Sequence, residues 1–372
     1  LSIGQLFADD IVVDGELFTR IYLPGFHSSN VVGAPELPEV HRLIELPQGA
    51  VPAVEILSED FEYVSISEYA VSNRIFPHQP SLSKSQSPGD MEFKYNEEDY
   101  SSQGYSDGQL ISIEEKGMLR SIRLANLILR PVQYNPSIGM VKVWKSIDFR
   151  ITFDGADIEM TESIKDKYYS PYYENLYSQI SNYQEQASRS DLVTYPVTYV
   201  IITNPIFENA LSDFIDWKVQ KGFNVVLGST ADIGSSTSSI KSFIQDLYNN
   251  PQDGMQPPSF VLFVGDVAQI PTYSGSTGGH VTDLYYCELT GDMIPDIYHG
   301  RFSANSPIEL QPQIDKTLEY EKYEMPDPSY LAEVLMVSGV DASFAPTHGN
   351  GQINYGTNYY YNPAHGIESH TY

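Results

Sequence analysis

Phe260-Val261-Leu262-Phe263-Val264-Gly265-Asp266, followed by Ile270-Pro271, reads as a short strand that is apolar on both faces and stops at a Gly-Asp turn. A strand apolar on both faces is buried on both sides, the usual state inside a parallel sheet covered by helices. The Asp stands where the chain leaves the sheet, and in open α/β sheets the ligand crevice lies outside the carboxyl ends of the strands. This stretch assigns the second half of the chain to the α/β class and says which rim should carry chemistry.

Outward from it, the chain alternates strand and helix patterns from Thr198 onward. Tyr199-Val-Ile-Ile202 reads as a strand. Residues 205–221 carry helical apolar spacing at Ile206, Leu211, Phe214, Ile215 and Trp217, and Gly222 ends the run. Val225-Val-Leu227 predicts a strand, residues 238–248 a helix and residues 307–323 a helix. A further strand is expected at 334–337, ending at Ser338-Gly-Val-Asp341, and residues 342–372, rich in Gly, Asn and Tyr, read as loop. The pattern is that of a doubly wound, mainly parallel sheet.

The front of the chain differs. Residues 1–155 alternate in short stretches between turn signals such as Gly33-Ala-Pro35, Leu46-Pro-Gln-Gly49 and Tyr134-Asn-Pro136. Strand-like segments at 18–23, 53–57, 139–144 and 147–153 predict a β-rich, sandwich-like unit. The Pro/Ser-rich stretch within 78–108 reads as exposed loop. Residues 156–195 form a connector in which Tyr168, Tyr169, Tyr172, Tyr173, Tyr177 and Tyr183 leave a docked helix and loose packing equally open.

Composition narrows the functional classes. With 372 residues there is room for two or three domains, and 41% hydrophobic content is enough to build real cores. A net charge of −28, from 49 acids against 21 bases, argues against nucleic acid and anionic membrane surfaces as partners, because phosphates need a basic face. The acid excess suits a soluble or secreted protein and is compatible with Ca²⁺ binding. A single cysteine, Cys287, excludes an internal disulfide and a Cys-based zinc cage. No apolar run reaches membrane-spanning length. The opening Leu1-Ser-Ile-Gly4 fits a processed start.

Asp266 and Asp341 both fall just past strand ends, where each is either a rim carboxylate or an ordinary helix-cap or turn Asp. Cys287, in Asp283-Leu-Tyr-Tyr-Cys-Glu288, is expected in an extended segment with no local base, the setting of a small core residue rather than a nucleophile. His348 and His365 read as exposed loop histidines without metal-ligand spacing. There is no phosphate loop, dinucleotide fingerprint, Gly-x-Ser-x-Gly elbow or EF-hand loop.

Several segments in order carry a resemblance. Thr198-Tyr-Val-Ile-Ile202, Phe214-Ile-Asp-Trp-Lys-Val-Gln-Lys-Gly222, Val264-Gly-Asp266 with Ile270-Pro271, Asp283-Leu-Tyr-Tyr286, and Gly300-Arg-Phe-Ser303 leading to residues 313–321 together resemble the first half of the gingipain-type cysteine peptidase domain. Gly33-Ala-Pro-Glu-Leu-Pro38 and Pro131-Val-Gln-Tyr-Asn-Pro136 resemble the inhibitory prodomain that precedes it.

The resemblance implies a β-rich prodomain over 1–155, a linker and processing region over 156–195, and a caspase-like α/β subdomain over 196–372. It implies a cysteine endopeptidase zymogen acting on protein or peptide substrates, secreted or surface-bound, with Ca²⁺ as a structural ion. It also implies that Asp341 orients the histidine of a Cys-His dyad lying beyond this chain, in the remaining catalytic subdomain. Arg189 matches the junction that is cut after a basic residue; its other reading is a solvated linker Arg. Arg120 and Arg123 lie near the stretch where such prodomains send a basic residue into the cleft, although a charge on a strand face is the preferred reading for both. A non-catalytic binding or assembly module on a cell surface is the alternative for the whole chain.

Overall fold

The computed structural model describes residues 2–13, 15–82, 91–106, 108–184, 196–252, 254–276, 279–337 and 349–370. Arg189 and Asp341 lie outside the described residues.

The front unit is a sandwich. β1 (Phe7–Val13) and β2 (Glu16–Tyr22) form a hairpin. β3 (His27–Ser28), β4 (Pro38–Leu46), β6 (Ile111–Leu119) and β7 (Ile122–Leu129) form one antiparallel sheet in the order β3-β4-β7-β6. β5 (Val51–Ser65), β8 (Val132–Asn135) and β9 (Met140–Asp154) form a second in the order β5-β9-β8. Val40, Ile44 and Leu46 from β4, Leu127 and Leu129 from β7, and Trp144 and Ile147 from β9 close the core between them. The segments expected at 139–144 and 147–153 form a single strand, because the irregularity between them is absorbed by register shifts against β5. The 78–108 stretch holds a short helix, α1 (Glu97–Ser101), whose Tyr100 hydroxyl donates to the Ile75 carbonyl at 2.6 Å.

The connector is docked. α2 (Ile158–Tyr168) is capped by Asp157, whose carboxylate accepts from the Met160 N–H. A 3₁₀ turn at Pro171–Tyr173 leads into α3 (Glu174–Tyr177). Tyr173, Tyr177 and Ile180 bury themselves against Ile122 and Leu124 of β7. This second cover explains why nearly every residue of β7 is buried rather than every other one.

The rear unit is a four-stranded parallel sheet of β10 (Thr198–Thr203), β11 (Asn224–Ser229), β12 (Phe260–Val264) and β15 (Tyr298–Phe302), in the order β11-β10-β12-β15. A two-residue ribbon, β13 (Tyr273–Ser274) with β14 (Val281–Thr282), lies between β12 and β15 in sequence. α4 (Ser212–Gln220) and α8 (Pro307–Lys322) cover one face, packing Phe214, Leu310 and Ile314 on Ile201, Leu262 and Val264. α5 (Thr230–Ile233), α6 (Thr237–Asn249) and α7 (Leu284–Cys287) lie on the other, where Ile240, Ile244, Tyr286 and Cys287 meet Val200, Ile202, Val261 and Phe263. The two clusters take alternate residues of β12, as the run of apolar residues required.

Two expectations for the end of the chain fail. Residues 334–337 are exposed and belong to no strand, with Leu335 at 86% exposure. Apolarity states that a segment needs burial, not which neighbour supplies it. Residues 350–359 form a helix, α9 (Asn350–Tyr359), where a loop was expected. The contact of the Tyr355 ring with that of Tyr359, one helical turn on with centres 4.6 Å apart and planes tilted by 38°, supports it against the poor propensity of Gly and Asn.

Candidate functional site

The strand order reverses between β10 and β12, so the crevice rule points to the carboxyl ends Thr203, Val264 and Phe302. Asp266 stands there, half-buried. Its Oδ1 accepts from the Val267 N–H at 2.8 Å and its Oδ2 from the Asn305 amide at 3.4 Å. Its main-chain carbonyl accepts from Gln269 and Ile270, closing the turn after β12. The Val267 N–H, with Ser303 and Asn305, holds the carboxyl below its ordinary range. The side chain thus does the work of a turn cap while keeping an ionised face at the rim.

Arg301 fixes this turn from below. Its Nε and Nη2 form a two-pronged pair with Asp283 at 2.8 and 2.7 Å, and its Nη1 donates to the carbonyls of Gly265 (2.7 Å) and Ile270 (3.1 Å). The guanidinium lies 5.4 Å from the centre of the Phe263 ring. Both partners stand in segments singled out in the sequence, but 18 residues separate them and nothing in either segment announced the pairing.

Cys287 is fully buried at the end of α7, a helical turn rather than the extended segment expected. Burial, reinforced by Asp283 and Asp296, pushes its thiol well above the ordinary range. A thiol held protonated in an apolar core is no nucleophile. His365 closes an exposed 3₁₀ turn at Pro363–His365, and His348 lies outside the described residues.

The two arginines part company. Arg123 lies on the strand face, paired through Nη2 with Glu115 at 2.6 Å, with Nη1 on the carbonyls of Pro47 and Ala50. Arg120 does not. It occupies the tip of the β6–β7 hairpin, is 1% exposed, and drives its guanidinium into the rear unit. Nε donates to the Tyr168 carbonyl, Nη1 to Pro258 (2.7 Å) and Asp296 (3.2 Å), and Nη2 to Pro257 (2.9 Å). The strand-face reading of Arg120 is therefore wrong: β6 ends at Leu119 and β7 begins at Ile122, so the side chain at the turn between them projects beyond the sheet. Its destination is the amino-terminal end of β12 and β15, the opposite end of the sheet from Asp266.

Beside this contact lies an acidic loop, Glu288 to Asp296. Asp292 accepts the Met118 N–H at 2.5 Å, and Gly117 leaves room for it, since a Cβ there would collide with the Asp292 carboxylate. Asp296 is fully buried; its Oδ2 accepts from Leu289 at 2.8 Å and its Oδ1 has no protein partner. Burial, with Asp292 and Glu288 nearby, pushes its carboxyl up to about 6.

Residues 4–169 match the family model Propeptide_C25, and residues 193–369 match peptidase family C25. Lys-gingipain W83 of Porphyromonas gingivalis is 38% identical over 367 residues, which is 98% of this chain and 21% of that protein. Gingipain R2 of the same organism is 24% identical over 87% of this chain and 43% of its own length. A solved structure bearing on the zymogenic latency of gingipain K from P. gingivalis aligns at TM-score 0.38 and 33% identity, covering 42% of this chain and 85% of that one. A complex of the pro- and mature domains of RgpB from that organism aligns at TM-score 0.40 and 17% identity, covering 50% and 90%. The chain belongs to the gingipain-type cysteine peptidases, family C25. It spans about a fifth of the length of the Lys-gingipains it matches.

Proposed function

We propose that this chain is the N-terminal part of a cysteine endopeptidase zymogen, hydrolysing peptide bonds through a Cys-His dyad carried beyond residue 372. The observation that carries the reading is the order of the family matches, propeptide over 4–169 and then peptidase over 193–369, across two units that are docked on each other. In this reading Asp341 orients and stabilises the imidazole that the remaining catalytic subdomain supplies, as a carboxylate does in Cys-His and Ser-His sites. Arg189 is the bond at which the propeptide is released, and the substrates are proteins or peptides.

The protein is secreted or held at the cell surface. Among the described residues no helix is long and apolar enough to cross a membrane. Calcium binding also belongs to the proposal, but among the described residues no three His, Cys, Asp or Glu side chains are grouped to hold a metal ion. No step is assigned to Ca²⁺, and titration calorimetry on the chelated protein tests for it.

The test is a thiol-reactive activity probe on the protein from its natural source, followed by peptide mapping. Labelling of a cysteine outside this chain supports the endopeptidase. Labelling at Cys287 alone, or none, supports the alternative of a non-catalytic surface module. N-terminal sequencing of the processed form tests Arg189, which predicts a new terminus at Ser190.

A further inference from the structure

Arg120 combines features that do not belong to an ordinary hairpin tip. It is not a glycine, yet it holds φ at 56°, a left-handed conformation that L-residues adopt at a cost. It is charged, yet it is buried. Its guanidinium is satisfied by four backbone carbonyls from three separate segments: Tyr168 in the connector, Pro257 and Pro258 leading into β12, and Asp296 leading into β15.

The surroundings are shaped for a flat cation. The ring centres of Tyr173 and Tyr248 lie 5.2 and 5.6 Å from the guanidinium carbon. The Tyr173 hydroxyl donates at 3.0 Å to the same Asp296 carbonyl that Arg120 reaches.

We propose that Arg120 and this carbonyl socket are the lock that holds the β-rich unit on the α/β unit, and that the lock is specific for a guanidinium. The inference rests on the zymogen reading, in which the two units are separated by a cut between residues 184 and 196. A planar fork reaches carbonyls spread around its edge while its carbon stays within cation–π distance of the two rings. A lysine ammonium presents its donors from a single atom and cannot span the same set. Withdrawing the side chain takes the guanidinium from the Pro257 and Pro258 carbonyls of the rear unit, while the Asp296 carbonyl keeps the Tyr173 hydroxyl, and stranded buried acceptors cost more than the lost bonds contribute. The receiving unit is thereby matched to its own hairpin rather than to any basic side chain.

The experiment uses the full zymogen as wild type, Arg120→Lys and Arg120→Met, each nicked between residues 184 and 196 by a limiting amount of trypsin, the nick verified by the mass of the two pieces. The dissociation constant between the two pieces is then measured by sedimentation. We expect a weakening of at least about 100-fold for Arg120→Met and about 10-fold for Arg120→Lys, from the number of charged hydrogen bonds lost. A Lys variant within about 2-fold of wild type overturns the proposal.

Should Arg120→Met fail to fold, Tyr248 decides. Tyr248→Leu removes one wall and is expected to weaken association about 10-fold, whereas Tyr248→Phe removes only a hydroxyl that has no partner and is expected to change nothing. Equal affinities for both Tyr248 variants overturn the lock. The readout is association, so loss of the peptidase reading through the thiol probe leaves this result standing.

Discussion

The side-chain amide of Asn182 takes both main-chain groups of Glu45: its Oδ1 accepts the Glu45 N–H at 2.7 Å and its Nδ2 donates to the Glu45 carbonyl at 2.9 Å. One residue earlier, the Ser181 N–H reaches the Leu43 carbonyl at 2.8 Å. The end of the connector is thus zipped along the open edge of β4, and an amide imitates the next strand of the sheet. On the other side of residues 185–195 the chain is tied to the rear unit, where the Asn224 N–H donates to the Val197 carbonyl at 3.0 Å.

Asn182→Ala removes both bonds and reopens the edge of β4. The expected loss is about 1–2 kcal/mol, read mainly as faster amide exchange at Glu45 and at residues 180–183. Unchanged exchange at Glu45 would show that the clip is ornamental.

Asp296 sets a pH dependence whose sign follows from its environment. Burial raises its carboxyl to about 6, above the value of an unfolded chain, so between those values the folded protein holds the extra proton. Stability from this group is therefore complete at low pH and falls as pH rises through about 6. At neutral pH the buried charge costs on the order of 3 kcal/mol. Asp296→Asn should raise the urea midpoint at pH 7 and flatten its slope between pH 4 and 6.5, the isosteric amide still accepting from Leu289. A steeper slope in the variant would contradict this.

Lys218 is a buried lysine in α4 held by Glu321 of α8 at 2.6 Å, with Glu321 also accepting from Trp217 at 2.9 Å and Lys221 at 3.1 Å. Burial draws the ammonium below its ordinary range, and Glu321 opposes that. Lys218→Met leaves the Glu321 carboxylate with two of its three partners and is expected to cost about 3 kcal/mol. The double change with Glu321→Leu should recover most of that loss, because burying neither charge avoids the desolvation. Thermal melts of the two variants decide between a pair that stabilises and one that mainly sets the register of the two helices.

Arg301→Lys keeps the charge beside Asp283 but loses the fork and its reach to Gly265 and Ile270. The expected cost is about 2–3 kcal/mol in chemical denaturation, with faster exchange at residues 266–270. An equal loss from Asp283→Asn would locate the effect in the ion pair rather than in the turn that carries Asp266.

Much of this protein was legible in the chain. The period of its apolar residues specified two architectures, their order and the position of Asp266 at a strand end, because periodicity records how many faces a segment buries. Burial of Cys287 was also foreseen, since an aromatic neighbourhood without a base makes a poor thiolate. The resemblance carried by the motifs from Thr198 to residue 321 supplied the family.

Tertiary structure alone decided the rest. An arginine at a hairpin tip reads as solvent-facing until another unit brings four carbonyls to it. The Arg301–Asp283 fork and the Asn182–Glu45 clip join residues that no local pattern relates. Residues 334–337 carry a strand's composition without a strand's neighbour. A sequence states what each segment needs to satisfy, whereas only the assembled chain determines which distant group satisfies it, since hydrogen bonds and ion pairs depend on ångström-scale distances that spacing along the backbone does not fix.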